Sequence, residues 1–360
     1  MCIKVDNHAK IDVNLCVFND VYTRAVDCFQ AAGISICNNY MSTTTRNQGY
    51  VGEFIHILTC YCACVIEGNR MLCPDYNNPA LGMCGVFVSG YDGGGRISNN
   101  YMRTVGRNID YGHRLLPIDF YLNVNNMTVE NNDITTAHGF IRIHGCTNIS
   151  VRHNTVKKPG DYEDTANGDP FIWIYSNSNF NSSNIEVSYN NLLITKSVSI
   201  VAVNGDVGNS CVYNNRISFP EQGAPMAVVR FINNAKNFAF RNNMVVWAKP
   251  ANLLLELLSN IENIEISGNN CNKFQAFCDG SFTANRCKII GNLLDGTEES
   301  LFKGVTWNKT VIANNVITGG NVNISGNDTI ITGNIIDANY AITGTAKAIN
   351  NIKNNELYPA

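Results

Sequence analysis

Charge is scarce in this sequence: only 15% of its 360 residues are Asp, Glu, Lys or Arg, and the net charge is −3. That balance gives no support to a basic nucleic-acid-binding surface, nor to the acidic tail of a disordered chain. Long apolar runs are missing too, and no stretch approaches the roughly 18 residues of a membrane-spanning helix. The N-terminus, Met1-Cys2-Ile3-Lys4-Val5-Asp6, lacks the charged start and apolar run of a signal peptide. Runs of Glu, Lys, Leu and Ala are absent, and no 3.6-residue apolar period is visible, so helices are not expected. There is no CxxC and no paired Cys-His spacing, which removes the usual zinc sites.

What is present points to strands and turns. Asparagine and the 29 glycines are abundant, and a hydrophobic fraction of 45% is ample for a continuous core. The 14 cysteines include Cys60, Cys62 and Cys64, which alternate with other residues in a strand-like run. Alternate residues of a strand share a face, so these three are expected in a row, as small buried side chains of a chain made in a reducing cytoplasm.

An internal repeat organises the chain. Two alternating apolar residues are followed by two positions and then by Asn or Asn-Asn. Examples are Ile34-Ser35-Ile36-Cys37-Asn38-Asn39, Met127-Thr128-Val129-Glu130-Asn131-Asn132 and Ile264-Glu265-Ile266-Ser267-Gly268-Asn269. Taking the last Asn of each unit, the markers fall at 19, 39, 69, 100, 132, 154, 191, 215, 243, 270, 292, 315, 334 and 355, about every 26 residues. Three short strands and their turns need about this length, so each interval is one coil of a solenoid. Asn tolerates the left-handed backbone of a tight corner, and stacked amides can bond into a ladder. The expected fold is all-β: a single-stranded right-handed parallel β-helix of about 13 coils, forming one domain over 1–360. Its first coil edge is 1–18, its longest insertion 155–184 and its C-terminal tail 356–360.

These Asn-cornered units, from about Ile11 to Leu357, resemble the pectate-lyase-like superfamily of right-handed β-helices, which includes pectin lyases, polygalacturonases and phage tailspikes. The paired-aspartate and Arg-Ile-Lys motifs of polygalacturonases are not found. Trp173-Ile174-Tyr175-Ser176 shares only its first two residues with the Trp-Ile-Asp-His segment of pectate lyases. The resemblance therefore favours the tailspike and polysaccharide-depolymerase type.

Because side chains alternate across a strand, coil register predicts outward columns. Counting back eight residues from the first apolar position of a unit reaches Asp119, Arg230, Glu256, Asp279 and Lys303, and counting back seven reaches Arg142. Trp173 fits with a longer turn, Ala202 follows it, and His56 lies on the same column upstream. Asp119, Arg142 and Trp173 are then successive rungs, with Tyr121, His144 and Tyr175 as a parallel second column. Tyr and Trp faces suit sugar rings, Arg suits carboxylates of acidic sugars, and His144 suits proton transfer; the alternative is a set of ordinary solvent-facing residues in which Asp119 and Arg142 make a cross-strand pair. Catalytic candidates are Arg142, His144, Asp119 and Asp169, and substrate-binding candidates are Trp173, Tyr175, Tyr121, Arg230 and Glu256. Asp169 belongs to a turn-rich loop with Asp161, Glu163 and Asp164; no cofactor is expected, although hard oxygen ligands of this kind could bind Ca²⁺, and the spacing matches no calcium-loop pattern, so the loop reads first as a solvated one. Arg230, Glu256, Asp279 and Lys303 form a plus-minus-minus-plus ladder that also reads as charge compensation.

The expected function is recognition, with possible degradation, of a capsular or acidic polysaccharide. The alternatives are a non-catalytic β-helix spacer of a virion and a free polysaccharide lyase or epimerase. The partners expected are a polysaccharide and either further copies, as a trimer, or an adjoining domain or particle that covers the end coils; nucleic acid and membrane are not expected. Without a signal peptide, the chain is expected to belong to a virus-like particle that acts outside the cell.

Overall fold

The computed structural model describes residues 3–6, 9–43, 52–73, 83–104, 116–136, 139–158, 170–194, 199–219, 227–247, 251–296, 302, 304–353 and 356–358. The chain is a right-handed parallel β-helix, all-β as the repeat predicts. Its internal contacts group it into two units, Met1–Leu193 and Ile194–Ala360.

In the first unit each coil carries three strands, one in each of three parallel sheets. The first sheet stacks Ile3–Asp6, Arg24–Phe29, Gly52–Leu58, Met83–Ser89, Ile118–Tyr121, Ile141–His144 and Ile172–Tyr175. The second runs from Lys10–Asn14 to Ser183–Ser188 and the third begins at Val17–Phe18. Strict alternation builds the core, so that Ile118, Phe120, Ile141, Ile143, Ile172 and Ile174 are fully buried inside the coil. In the second unit some strands run through a corner without a break, as in Ser199–Tyr213 and Ala227–Arg241, whose pairing shifts register midway. There the last strand, Glu356–Tyr358, pairs antiparallel with Asn351–Lys353.

The Asn-Asn doublets divide into two jobs. The first residue takes a positive φ to turn the corner between the second and third sheets: Asn38 (56°), Asn99 (55°), Asn131 (56°) and, as glycine, Gly68 (66°). The second is buried and bonds along the stack. In the first unit the amide Nδ2 of Asn39, Asn69, Asn100, Asn132 and Asn154 donates to Oδ1 of the ladder Asn in the next coil, at 2.9–3.0 Å, and Asn190 accepts from Asn154. In the second unit the same chain links Asn215, Asn243, Asn269, Asn292, Asn315, Asn334 and Asn351. Each such bond contributes about 0.5–1.5 kcal/mol, and leaving a buried partner unmade costs more.

This division corrects four of the corner markers. Where a third polar residue follows, the ladder residue is the middle one: Asn190 rather than Asn191, behind Tyr189 (54°), and Asn269 rather than Asn270, behind Gly268 (63°). Asn19 is not a corner residue; Cys16 holds that place, its backbone N–H donating to Asn39 Oδ1 at 2.9 Å. The last marker, Asn355, lies outside the described residues, and Asn351 is the ladder residue of that coil.

Cys60, Cys62 and Cys64 are buried, as expected, but only Cys64 opens a strand; the other two lie in the turn leaving Gly52–Leu58. Cys28, Cys60, Cys62, Cys64, Cys84, Cys146, Cys271 and Cys287 are free thiols. Burial pushes Cys28, Cys146, Cys271 and Cys287 up to about 12, so these sulfurs stay protonated and unreactive at neutral pH.

Candidate functional site

Alternation turns every second residue of the first sheet outward, and the parallel register stacks these residues about 4.8 Å apart. One outward column reads Asp27, His56, Phe87, Asp119, Arg142 and Trp173 on successive strands. Two residues further along each strand, the parallel column reads Phe29, Leu58, Ser89, Tyr121, His144 and Tyr175. Asp119, Arg142, Trp173, Tyr121, His144 and Tyr175 are thus gathered into one patch, and His56 stands on the same column.

The chemistry of the patch differs from a simple exposed display. Arg142 lays its guanidinium fork on Asp119, with Nε to Oδ1 at 2.8 Å and Nη2 to Oδ2 at 2.6 Å. The same guanidinium sits 5.2 Å from the centroid of the Tyr121 ring. Asp119 is only 4% exposed. Burial pushes its carboxyl above the usual carboxylate range, and the two-pronged contact with Arg142 opposes that rise. Arg142 therefore has a carboxylate of its own and does not wait for one on a sugar.

His144 is 7% exposed and packed among rings: Tyr121 edge-on at 5.0 Å, Tyr175 at 4.1 Å and Phe180 at 6.5 Å between centroids. Asn177 starts the turn that carries Phe180. Its Oδ1 accepts the backbone N–H groups of Asn179 and Phe180, both at 2.9 Å. That fixes the amide orientation, so Asn177 Nδ2 is the group facing His144 Nε2 at 3.3 Å, and Nε2 accepts. Phe180 needs Gly145 beneath it: Gly145 has φ +63°, and a Cβ there would meet the Phe180 Cβ at 2.7 Å. Burial, helped by Arg142, pulls the imidazole down to about 4. It is neutral at pH 7, with Nε2 facing the Asn177 amide.

A pH dependence of stability follows. The unfolded chain binds a proton at His144 near its ordinary value of 6.5, whereas the folded chain resists until about 4. The unfolded state thus takes up more protons between these values, so this contribution is complete above pH 6.5 and lost as pH falls toward 4. Urea titrations across pH 4–7 are expected to show the loss, and His144→Gln should flatten the slope in that window.

Upstream on the same sheet, the structure assembles a group that the sequence reading reached only through His56. His56 Nδ1 lies 2.7 Å from Asp27 Oδ1, Arg24 Nη1 lies 3.1 Å from Asp27 Oδ2, and Arg24 Nε lies 3.0 Å from Glu53 Oε2. The His56 ring stacks on Phe87 at 5.2 Å and 16°. Burial lowers the His56 value, and hydrogen bonds from His56 and Arg24 outweigh burial in holding Asp27 low. Phe87 was within reach of the column count. Arg24, Glu53 and Asn177 were not, because their partners are set by side-chain reach across coils.

In the second unit, Ala202, Arg230, Glu256 and Asp279 are register partners in consecutive coils. Arg230 Nε meets Glu256 Oε2 at 2.5 Å, so these two residues, expected to bind substrate, neutralise each other. Lys303 lies outside the described residues, as do Asp161, Glu163, Asp164 and Asp169 with the loop that carries them. Among the described residues, no cluster of three or more His, Cys, Asp or Glu side chains is placed to hold a metal ion.

No protein-family model matches the sequence, and no curated protein shows significant sequence similarity to it. Among solved structures, the crystal structure of PfbA, a surface adhesin of Streptococcus pneumoniae, is similar with 13% identity and a TM-score of 0.43, covering 89% of this chain and 86% of that one. A second structure, of the Streptococcus pneumoniae surface protein and adhesin PfbA, has 10% identity and a TM-score of 0.36, covering 94% and 89%. The fold stands on the strand register rather than on this likeness.

Proposed function

We propose that the first-sheet flank of the unit Met1–Leu193 holds a polysaccharide, in the manner of a tailspike-type β-helix of the pectate-lyase-like superfamily. One observation carries the reading: Tyr121, Trp173 and Tyr175 are half-buried rings standing together on the outward face, while the polar groups between them, Asp119 and His144, are buried. Ring faces are therefore the surface on offer, and half-buried aromatic faces pack well against the apolar faces of sugars. Trp173 and Tyr175 share a strand with their centroids 5.9 Å apart, and Tyr121 stands two rungs away, so a chain lying along the solenoid axis crosses all three.

Affinity electrophoresis through gels containing single polysaccharides tests this. At least one glycan is expected to retard the protein. Trp173→Ala should weaken that binding tenfold or more, corresponding to the roughly 1.5–3 kcal/mol gained by burying a large apolar side chain. Retention unchanged by Trp173→Ala and Tyr175→Ala would remove the flank from the reading, and no retention by any glycan would favour a plain spacer. Holding without cutting is the expectation, given the neutral His144, so no new reducing ends should appear on incubation.

A further inference from the structure

We infer that the glycan held on this flank is a neutral one, recognised through ring faces and hydrogen bonds rather than through its charge. The inference rests on the proposed glycan-holding role and names the class of sugar. It stands on how the first sheet uses its cations. The described strands of that sheet contain three permanent cations, Lys4, Arg24 and Arg142, against four carboxylates, Asp6, Asp27, Glu53 and Asp119. Each cation is already engaged: Lys4 with Asp6 at 2.8 Å, Arg24 with both Asp27 and Glu53, and Arg142 with both oxygens of Asp119.

The geometry makes this engagement costly to undo. Asp119 and Glu53 are 4% and 6% exposed, so a sugar carboxylate that drew Arg142 or Arg24 away would leave a buried carboxylate without its partner. The two imidazoles add no charge at neutral pH, since burial lowers both and His144 sits near 4. In sequence, the segment 159–169 that leads to the Trp173 strand carries four acids and no base. Among the described residues of this sheet, an anionic polymer meets no unengaged cation. A neutral polymer pays no such electrostatic cost and meets the faces of Tyr121, Trp173 and Tyr175.

The test compares dextran and galactomannan with polygalacturonate and hyaluronan, by affinity electrophoresis and calorimetry at 50 and 500 mM salt. A neutral polymer should bind with an affinity that changes less than twofold over this range, because no ion pair is there to be screened. The acidic polymers should bind at least tenfold more weakly at either salt. Asp119→Asn provides the converse, because it keeps a hydrogen bond to Arg142 while releasing its charge. That variant, checked for its fold by circular dichroism, should gain affinity for polygalacturonate at 50 mM salt and lose the gain at 500 mM. Acidic polymers that bind the unaltered protein more tightly than neutral ones, with a tenfold fall across the salt range, would overturn the inference and leave the glycan reading intact. Binding of neither class would overturn both.

Discussion

Asp119→Ala is expected to destabilise the unit Met1–Leu193 by about 3–5 kcal/mol, the usual cost of removing one partner from a buried ion pair. The reason is what remains. Arg142 makes both of its short bonds to Asp119, and its side chain is only 23% exposed, so the guanidinium would lose its counter-charge without gaining full hydration. Coulomb attraction between the two groups is not the measure of this loss; the stranded charge is. The double variant Asp119→Leu with Arg142→Met, an apolar pair of similar bulk, should therefore recover most of the stability. Chemical denaturation followed by circular dichroism reads both. A loss below about 1 kcal/mol in Asp119→Ala would mean that water already reaches the pair.

The second large effect is expected at the corner ladder. Asn132→Ala should cost at least about 3 kcal/mol, although it removes no charge and only a small side chain. Asn132 is 2% exposed, and every polar atom of its amide is used. Its Nδ2 donates to Asn154 Oδ1 and to the carbonyls of Ile97 and Glu130. Its Oδ1 accepts both the backbone N–H and the amide of Asn100. Truncation takes the acceptor from the backbone N–H of Asn100 and a donor from the Ile97 carbonyl where water does not reach, at about 1–3 kcal/mol for each group left unmade. Asn131→Ala bears on a different quantity: it asks a non-Gly, non-Asn residue to hold φ 56°, at a cost of roughly 1–2 kcal/mol. Measured together by urea denaturation, the two variants should rank Asn132 above Asn131. The reverse order would show that corner backbone strain, not the amide ladder, governs this part of the fold.

The outward columns were legible because they depend on two local quantities, the two-residue alternation of a strand and the length of a coil. Asp119, Arg142 and Trp173 could be placed on neighbouring rungs without knowing any contact between them. Most corner residues were legible in the sequence, but two were placed one position late, and the first and last coils were missed by three and four positions. Tyr189-Asn190-Asn191 and Gly268-Asn269-Asn270 each offer two candidate asparagines, and which one is buried depends on where the positive-φ residue falls. Cys16 in place of an asparagine left no sequence signal. The Asn177–Phe180 turn over His144 was hidden for another reason: its role comes from one amide meeting a ring 33 residues away.

The solenoid follows from the amino-acid sequence alone. Scarce charge, abundant asparagine and a 26-residue apolar rhythm leave few other ways to bury the core, since each coil is built from neighbours in sequence. The chemical state of the flank emerges only once the coils are stacked. The rung spacing already allowed Asp119 and Arg142 to pair, but whether His144 is charged or neutral and whether Asp119 faces water depend on side chains brought together from different coils. Burial and pairing set the cost of each charge, and both are properties of the assembled stack rather than of any one segment.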